Sequence, residues 1–368
     1  MGAGWQRHRV AGGGAVAQDI RSNDPGVIGA YADNTSATGA TTRTDYFKFF
    51  VDEVELDLAK TFGENIRLRT DLDFGSTTLN SGSRFNNAGG STDEAGILVE
   101  QAYATTNLAV GNGVELLVGR FNAPMGFESV DVGDNDTISR SVVYRALRPI
   151  SFTGAKLYYA FSDMVDFHFY LANNSLVHDA ADVIGVDTDI PALGFRLGFN
   201  WGEEGRESHL GWNGAWGQDH ANVKSGWSFL GDVDWQWWAT DSFALGGEAI
   251  YRQVDTVTAG GINGKYFGGL LNLHYDFSDV WDGTLRYGYA HDINGAANAG
   301  LALANTRAGT QSLTGGDQQL HEMALAGNYA ITDGATLKLE GGYTYIDPTG
   351  GANNQHVFGV GGGFAYAF

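Results

Sequence analysis

Between Ala123 and Ile150 the chain carries Arg140, Tyr144, Arg145 and Arg148, spaced to form a basic, aromatic-edged cluster. Opposed charges across a narrow gap create a transverse field that orients polar solutes and sets ion preference. That is the chemistry expected here. The arginines would face Asp71, Asp73, Asp232, Asp234 and Glu248, with Arg67 and Arg69 completing the lining. The same residues scattered on a surface loop would do none of this. Asn135 to Leu147 has the only helix-like pattern in the sequence, with Asp136 or Thr137 as its cap, and Pro149 stops it.

Other constellations are weaker. Asp131, Asp134 and Asp136 form a D-x-x-D-x-D run, a candidate calcium site that lacks the bidentate Glu and the Gly spacing of an EF-hand loop. Asp179, Asp182, Asp187 and Asp189 make a second acidic loop. Such loops are candidate sites for divalent ions, and no other cofactor is expected. His168, His209, His274, His291 and His321 are dispersed, and neither G-x-S-x-G nor H-E-x-x-H occurs. No enzyme is therefore expected, although a histidine beside a serine in space would make a barrel hydrolase.

The elements that must position these residues are strands. The chain has 368 residues, 54 Gly, 5 Pro, no Cys and 12% aromatics, a composition suited to many long strands because Pro removes a ladder donor. Absence of Cys excludes a disulfide framework and thiolate metal sites. A net charge of −21 argues against nucleic acid as a partner. No run approaches the roughly 18 to 20 apolar residues of a membrane helix.

Alternation with period two recurs along the chain. In Trp227–Thr240, Trp227, Phe229, Val233, Trp235 and Trp237 oppose Ser228, Asp232, Asp234, Gln236 and Thr240. Ile66, Leu68, Leu72 and Phe74 oppose Arg67, Arg69, Asp71 and Asp73. Charges at a bilayer midplane cost roughly 2 to 4 kcal/mol on a barrel's lipid face, so these face inward and the apolar set meets lipid. About sixteen strands are expected, the first an opening segment near Val27–Asn34. Tight polar turns such as Gly63-Glu64-Asn65 alternate with long connections such as 76–95, 123–150 and 294–319. The expected fold is a transmembrane antiparallel β-barrel over 27–368, with short periplasmic turns and long extracellular loops. Residues 1–26 form an arm or residual signal segment, with Ala15-Val16-Ala17 matching an A-x-A cleavage site. Trp201, Trp216, Trp237, Trp238 and Trp281 suit interfacial girdles. A soluble sandwich would need half as many such strands and a complementary sheet.

With these features the chain resembles a Gram-negative outer-membrane porin. Phe364, Tyr366 and Phe368 at alternate positions resemble the signal read by the barrel-assembly machinery. The stretches VDEVELDLAKTFGENIRLRTDLDFG and VELLVGRFNAPMGFES are similar to the OmpL-like and phosphate-porin-like families. The resemblance implies sixteen strands, a third loop folded into the lumen, and a homotrimer in the bacterial outer membrane, among lipid and lipopolysaccharide. The expected function is passive diffusion of ions and small hydrophilic solutes, with weak cation preference because inward acids outnumber inward bases. The rival is a structural or adhesion barrel with a plugged lumen.

Overall fold

The computed structural model describes residues 54–75, 96–173, 190–218, 227–255, 263–293, 318–348 and 355–367, apart from turn residues 64 and 333. It also describes the N-terminal strand segments Arg9–Val10, Gly14–Ser22, Ala32–Thr35, Thr41–Thr44 and Tyr46–Phe50. From Val54 on, fifteen antiparallel strands follow one another in a single sheet. They are β1 (Val54–Phe62), β2 (Ile66–Gly75), β3 (Gly96–Leu108), β4 (Val114–Asn122) and β5 (Ser151–Ala160). Next come β6 (Val165–Ala172), β7 (Ala192–Glu203), β8 (Arg206–Gln218), β9 (Trp227–Trp238) and β10 (Phe243–Val254). The sheet continues through β11 (Gly264–Ser278), β12 (Trp281–Asp292), β13 (Gln318–Thr332), β14 (Ala335–Pro348) and β15 (Gln355–Ala367).

Pairing continues past β15, whose residues 356–363 pair with Gly14–Ser22. The other edge of Gly14–Ser22 pairs with Tyr46–Phe50, the segment leading towards β1. The N-terminal strand thus lies earlier than the sequence pattern places it, within the segment expected to be an arm. Its sequence, GAVAQDIRS, has too few large apolar residues to display a period of two. Of the expected opening segment, 27–31 falls outside the described residues. Ala32–Thr35 instead pairs with Thr41–Thr44 in a separate two-stranded sheet.

Strand lengths of 8 to 15 residues bracket the roughly 9 to 11 needed to cross the hydrocarbon layer at a tilt. The burial pattern is inverted relative to a soluble sheet. Leu325, Leu339, Trp212 and Trp237 are 65%, 57%, 55% and 51% exposed, whereas Asp71, Asp232, Asp234 and Glu248 are at most 1% exposed. Only an apolar surrounding accounts for an outer face of that kind. Among the described residues no helix is long and apolar enough to cross a membrane.

Aromatic clusters mark both rims of this face: Trp281 beside Tyr329 (4.7 Å) at the short-turn end, and Tyr289 beside His321 (5.0 Å) and Trp216 on Trp227 (4.2 Å) at the loop end. Trp201, Trp216, Trp237 and Trp281 are exposed on the outer wall, as girdle residues should be. Trp238 departs from the expectation. It lies on the inward face with Asp232 and Asp234, its ring edge-on to His274 at 5.6 Å. One register step separates adjacent tryptophans, and that step moves a side chain across the sheet.

Candidate functional site: the loop inside the wall

The segment 123–150 joins β4 to β5 and packs against the inner faces of strands far along the sheet. A backbone that leaves the ladder inside a barrel must find partners for its amides and carbonyls. The wall supplies both kinds. Glu340 accepts hydrogen bonds from the amides of Ile138 (2.6 Å) and Ser139 (2.9 Å), and from the Ser139 hydroxyl. Glu322 accepts from the Val142 amide at 2.7 Å, and Glu248 from the Phe127 amide at 3.0 Å. Wall bases serve the carbonyls. Lys338 donates to the carbonyls of Gly133 (3.1 Å) and Asn135, and Arg252 to that of Leu147 (3.4 Å).

Arg286 is the centre of this arrangement. Buried on β12, it donates to Glu128 Oε1 (2.7 Å), Thr137 Oγ1 (2.6 Å), Ser139 Oγ (2.8 Å) and the Ser139 carbonyl. Glu128 in turn accepts from the Ser141 amide at 3.0 Å, so one wall guanidinium and one loop carboxylate fix three points of the loop. Asn272 donates to Asp136 at 2.9 Å, with His274 3.4 Å from the same oxygen. Burial pushes the Asp136 carboxyl up, but the hydrogen bonds from His274 and Asn272 outweigh it and hold the group below the ordinary carboxylate range.

Apolar packing completes the attachment. Val142, Val143, Ala146 and Leu147 are buried in one cluster with Ile250, Leu270 and Leu320 of the wall. Two inward glycines form the seats: a Cβ at Gly246 would lie 2.2 Å from the Phe127 ring, and one at Gly268 2.4 Å from Leu147.

The helical element in this loop is shorter than the sequence pattern predicts. It is a five-residue π-type turn, Val143–Leu147, preceded by a 3-10 turn at Val132–Asp134. Val142 stands at its N-cap without a side-chain cap. Thr137 and Asp136, the expected caps, are instead bonded to Arg286 and Asn272. Arg148 is extended (φ −89, ψ 137) before Pro149, as the ring of a following proline requires.

The predicted residues are distributed as follows. Arg145 pairs with Glu322, a wall acid the sequence pattern did not single out. Arg140 donates to the Val130 carbonyl, and Arg148, 2% exposed, to that of Glu128. Both guanidiniums lie over the Tyr144 ring, at 4.2 and 4.6 Å. Among the predicted acids, Glu248 meets the loop, through the Phe127 amide. Asp234 pairs with Arg196 at 2.6 Å and lies 3.2 Å from His209, while Asp232 accepts from Asn213 at 2.6 Å. Asp71 pairs with Arg69 at 2.7 Å and accepts from Gln101; Asp73 is buried and Arg67 exposed. Glu128 and Glu322 went unrecognised. Glu322 alternates with Leu320 and Ala324, so no polar stripe marks its face.

The D-x-x-D-x-D run does not converge. Asp131 lies with Glu55 and Glu100, all three offering oxygens within 4.8 Å of one another, whereas Asp136 reaches Asn272 across the lumen. Among the described residues the other acidic triple is Glu55, Asp57 and Asp71. Phe364 and Tyr366 are exposed on the outer face of β15; Phe368 lies outside the described residues.

The family described as "Putative beta-barrel porin-2, OmpL-like" matches residues 26–368. The chain belongs to this porin family. No curated protein matches it. Among solved structures it is similar to the outer-membrane channel DcaP of Acinetobacter baumannii, with 14% identity, TM-score 0.60, and coverage of 98% of this chain and 96% of that one. It is also similar to an anion-selective porin from Comamonas acidovorans (13% identity, TM-score 0.59, 98% and 99% covered). A third is OmpT of Vibrio cholerae in its trimer form (10% identity, TM-score 0.52, 98% and 99% covered). The porin family, the inverted wall and the strand layout make this an outer-membrane channel protein of bacteria. Porins are channels rather than enzymes.

Proposed function

We propose that the channel passes ions and small hydrophilic solutes by passive diffusion, and that loop 123–150 forms its constriction. The observation that carries the reading is the Glu340 grip on the amides of Ile138 and Ser139, which ties the loop to the wall on the far side of the sheet. Tyr144 and Arg145 are then the half-buried groups of the loop nearest the passage, and mixed charge around them sets ion preference. Weak cation preference is the expected sign, because inward acids outnumber inward bases. A homotrimer is proposed as the assembly.

Single-channel recording in a planar bilayer under a salt gradient tests this. Currents stepping in threes support an open trimer, and the reversal potential gives the preference. Silence from a folded, heat-modifiable protein establishes the plugged structural barrel instead. Identical currents from Arg145→Ala and wild type would remove the constriction from this loop.

A further inference from the structure

Among the described residues, most inward cations of this barrel are consumed by the structure. Arg69, Arg145, Arg196 and Arg286 each hold a carboxylate, and Arg252 and Lys338 hold loop carbonyls. Lys156 on β5 has no hydrogen-bond or ion-pair partner among the described residues. Its Nζ rests 5.1 Å from the centroid of the Phe121 ring, one pair of residues short of the point where loop 123–150 leaves β4. Lys156 is half-buried and lies on the face that carries the buried Phe152, so its ammonium faces the lumen.

Two more polar groups beside it lack partners. Tyr158, two residues on and on the same face, makes no hydrogen bond through its hydroxyl among the described residues. Its ring packs on that of His168, which is directly paired with it on β6, at 4.8 Å. His168 places Nε2 3.4 Å from Asp166, while its Nδ1 is shut away from solvent with no partner. Buried polar atoms without partners are rare and call for an explanation. Here two potential donors, an ammonium and a phenol, stand on one face of β5, with the imidazole of His168 packed against the phenol.

We propose that Lys156 and Tyr158, with His168 packed behind the phenol, form a station for a small oxyanion, a carboxylate or a phosphate, on the short-turn side of the constriction. The proposal rests on the channel reading and adds a ligand to it. The ammonium and phenol donate to the anion's oxygens. His168, with Nε2 3.4 Å from Asp166, packs its ring on that of Tyr158 and holds the phenol in place. The local opposition is explicit. Glu115 is paired across from Tyr158 on β4 and acts electrostatically on Lys156, and Asp166 flanks His168. These carboxylates keep occupancy weak, as conduction requires of any site along a pore.

The test measures, for the full-length protein in planar bilayers, the concentration of inorganic phosphate that halves the KCl current, with succinate in a separate arm. Stronger block by phosphate assigns phosphate as the preferred oxyanion, and stronger block by succinate assigns carboxylates. Lys156→Met should raise the half-blocking concentration roughly tenfold, the effect of one lost charge-assisted hydrogen bond, and move the reversal potential towards cations. Lys156→Arg should restore both, and Glu115→Gln should lower the half-blocking concentration below wild type. If Lys156→Met yields no heat-modifiable barrel, Lys156→Gln and Tyr158→Phe give the same reading. A conducting wild type that neither anion blocks, or one matched by Lys156→Met in both measurements, overturns the station alone. A wild type that does not conduct overturns the channel reading, and the station with it.

Discussion

The two halves of the inner wall differ in how their polar side chains are used. On β10 to β14, Glu248, Arg252, Asn272, Arg286, Glu322, Lys338 and Glu340 all engage loop 123–150. On β1 to β9 the ion pairs run within the wall, as in Arg69 with Asp57 and Asp71, and Arg196 with Asp234, and Arg196 touches the loop only at the Pro124 carbonyl (3.4 Å), where it leaves β4. One half is an anchorage and the other a lining. Both arise from the same alternation of apolar and polar residues, so polarity of the inward face does not by itself distinguish a residue that meets solute from one that holds a loop.

Breaking the anchorage should have the largest effect. Arg286→Leu leaves Glu128 buried without its guanidinium, a loss of roughly 3 to 5 kcal/mol for a buried pair stripped of one partner. The loop should then become cleavable by protease in the folded barrel, and single-channel conductance should rise. A protected loop with unchanged current would show that the amide grips of Glu340 and Glu322 suffice alone.

Next in size is a steric challenge to the same half. Gly268→Val places branched carbons where Leu147 sits, and overpacking of this kind costs about 1 to 3 kcal/mol. Conductance should rise with little change in ion preference, because no charge is touched. A shift in reversal potential without a change in conductance would contradict the seat.

The lining half should respond to charge more than to bulk. Arg196→Gln removes the partner of Asp234 and leaves an added negative charge on the wall, so the reversal potential should move towards cations while the loop stays protected from protease. Smallest of all is Trp281→Phe on the outer girdle, a surface change expected within about 0.5 kcal/mol and without effect on currents. A measurable change in ion preference there would show that the outer wall influences the lumen.

Much of this architecture was legible in the sequence, and the limits have physical causes. The strand faces could be read because large apolar residues oppose charges, as in Ile66–Gly75, where Asp71 and Asp73 are indeed the buried members. The loop could be located because 123–150 is long and lacks period two. Its destination could not be read. Whether Arg145 meets Asp232 or Glu322 depends on the path of the loop across the lumen, and on a register that places Glu322 opposite Thr344. The helix was overestimated because the spacing of apolar residues from Ile138 to Leu147 is satisfied by burial against the wall, with a bent, non-helical backbone presenting the amides of Ile138 and Ser139 to Glu340. The N-terminal strand was missed because a strand of Gly and Ala carries no amplitude in a hydrophobic alternation.

The pairing of Gly14–Ser22 with β15 sets the order in which this molecule can be made. Those two strands are far apart in the sequence, so their ladder, like the pairing of Arg9 and Val10 with Ala367 and Tyr366, is strongly non-local, and non-local pairing slows folding. The seam cannot be zipped until β15 has been synthesised and delivered. Until then the chain carries two open strand edges, which must be kept from pairing with other chains. The meeting of these two strands therefore comes late in assembly, after the β-strands between them have been made.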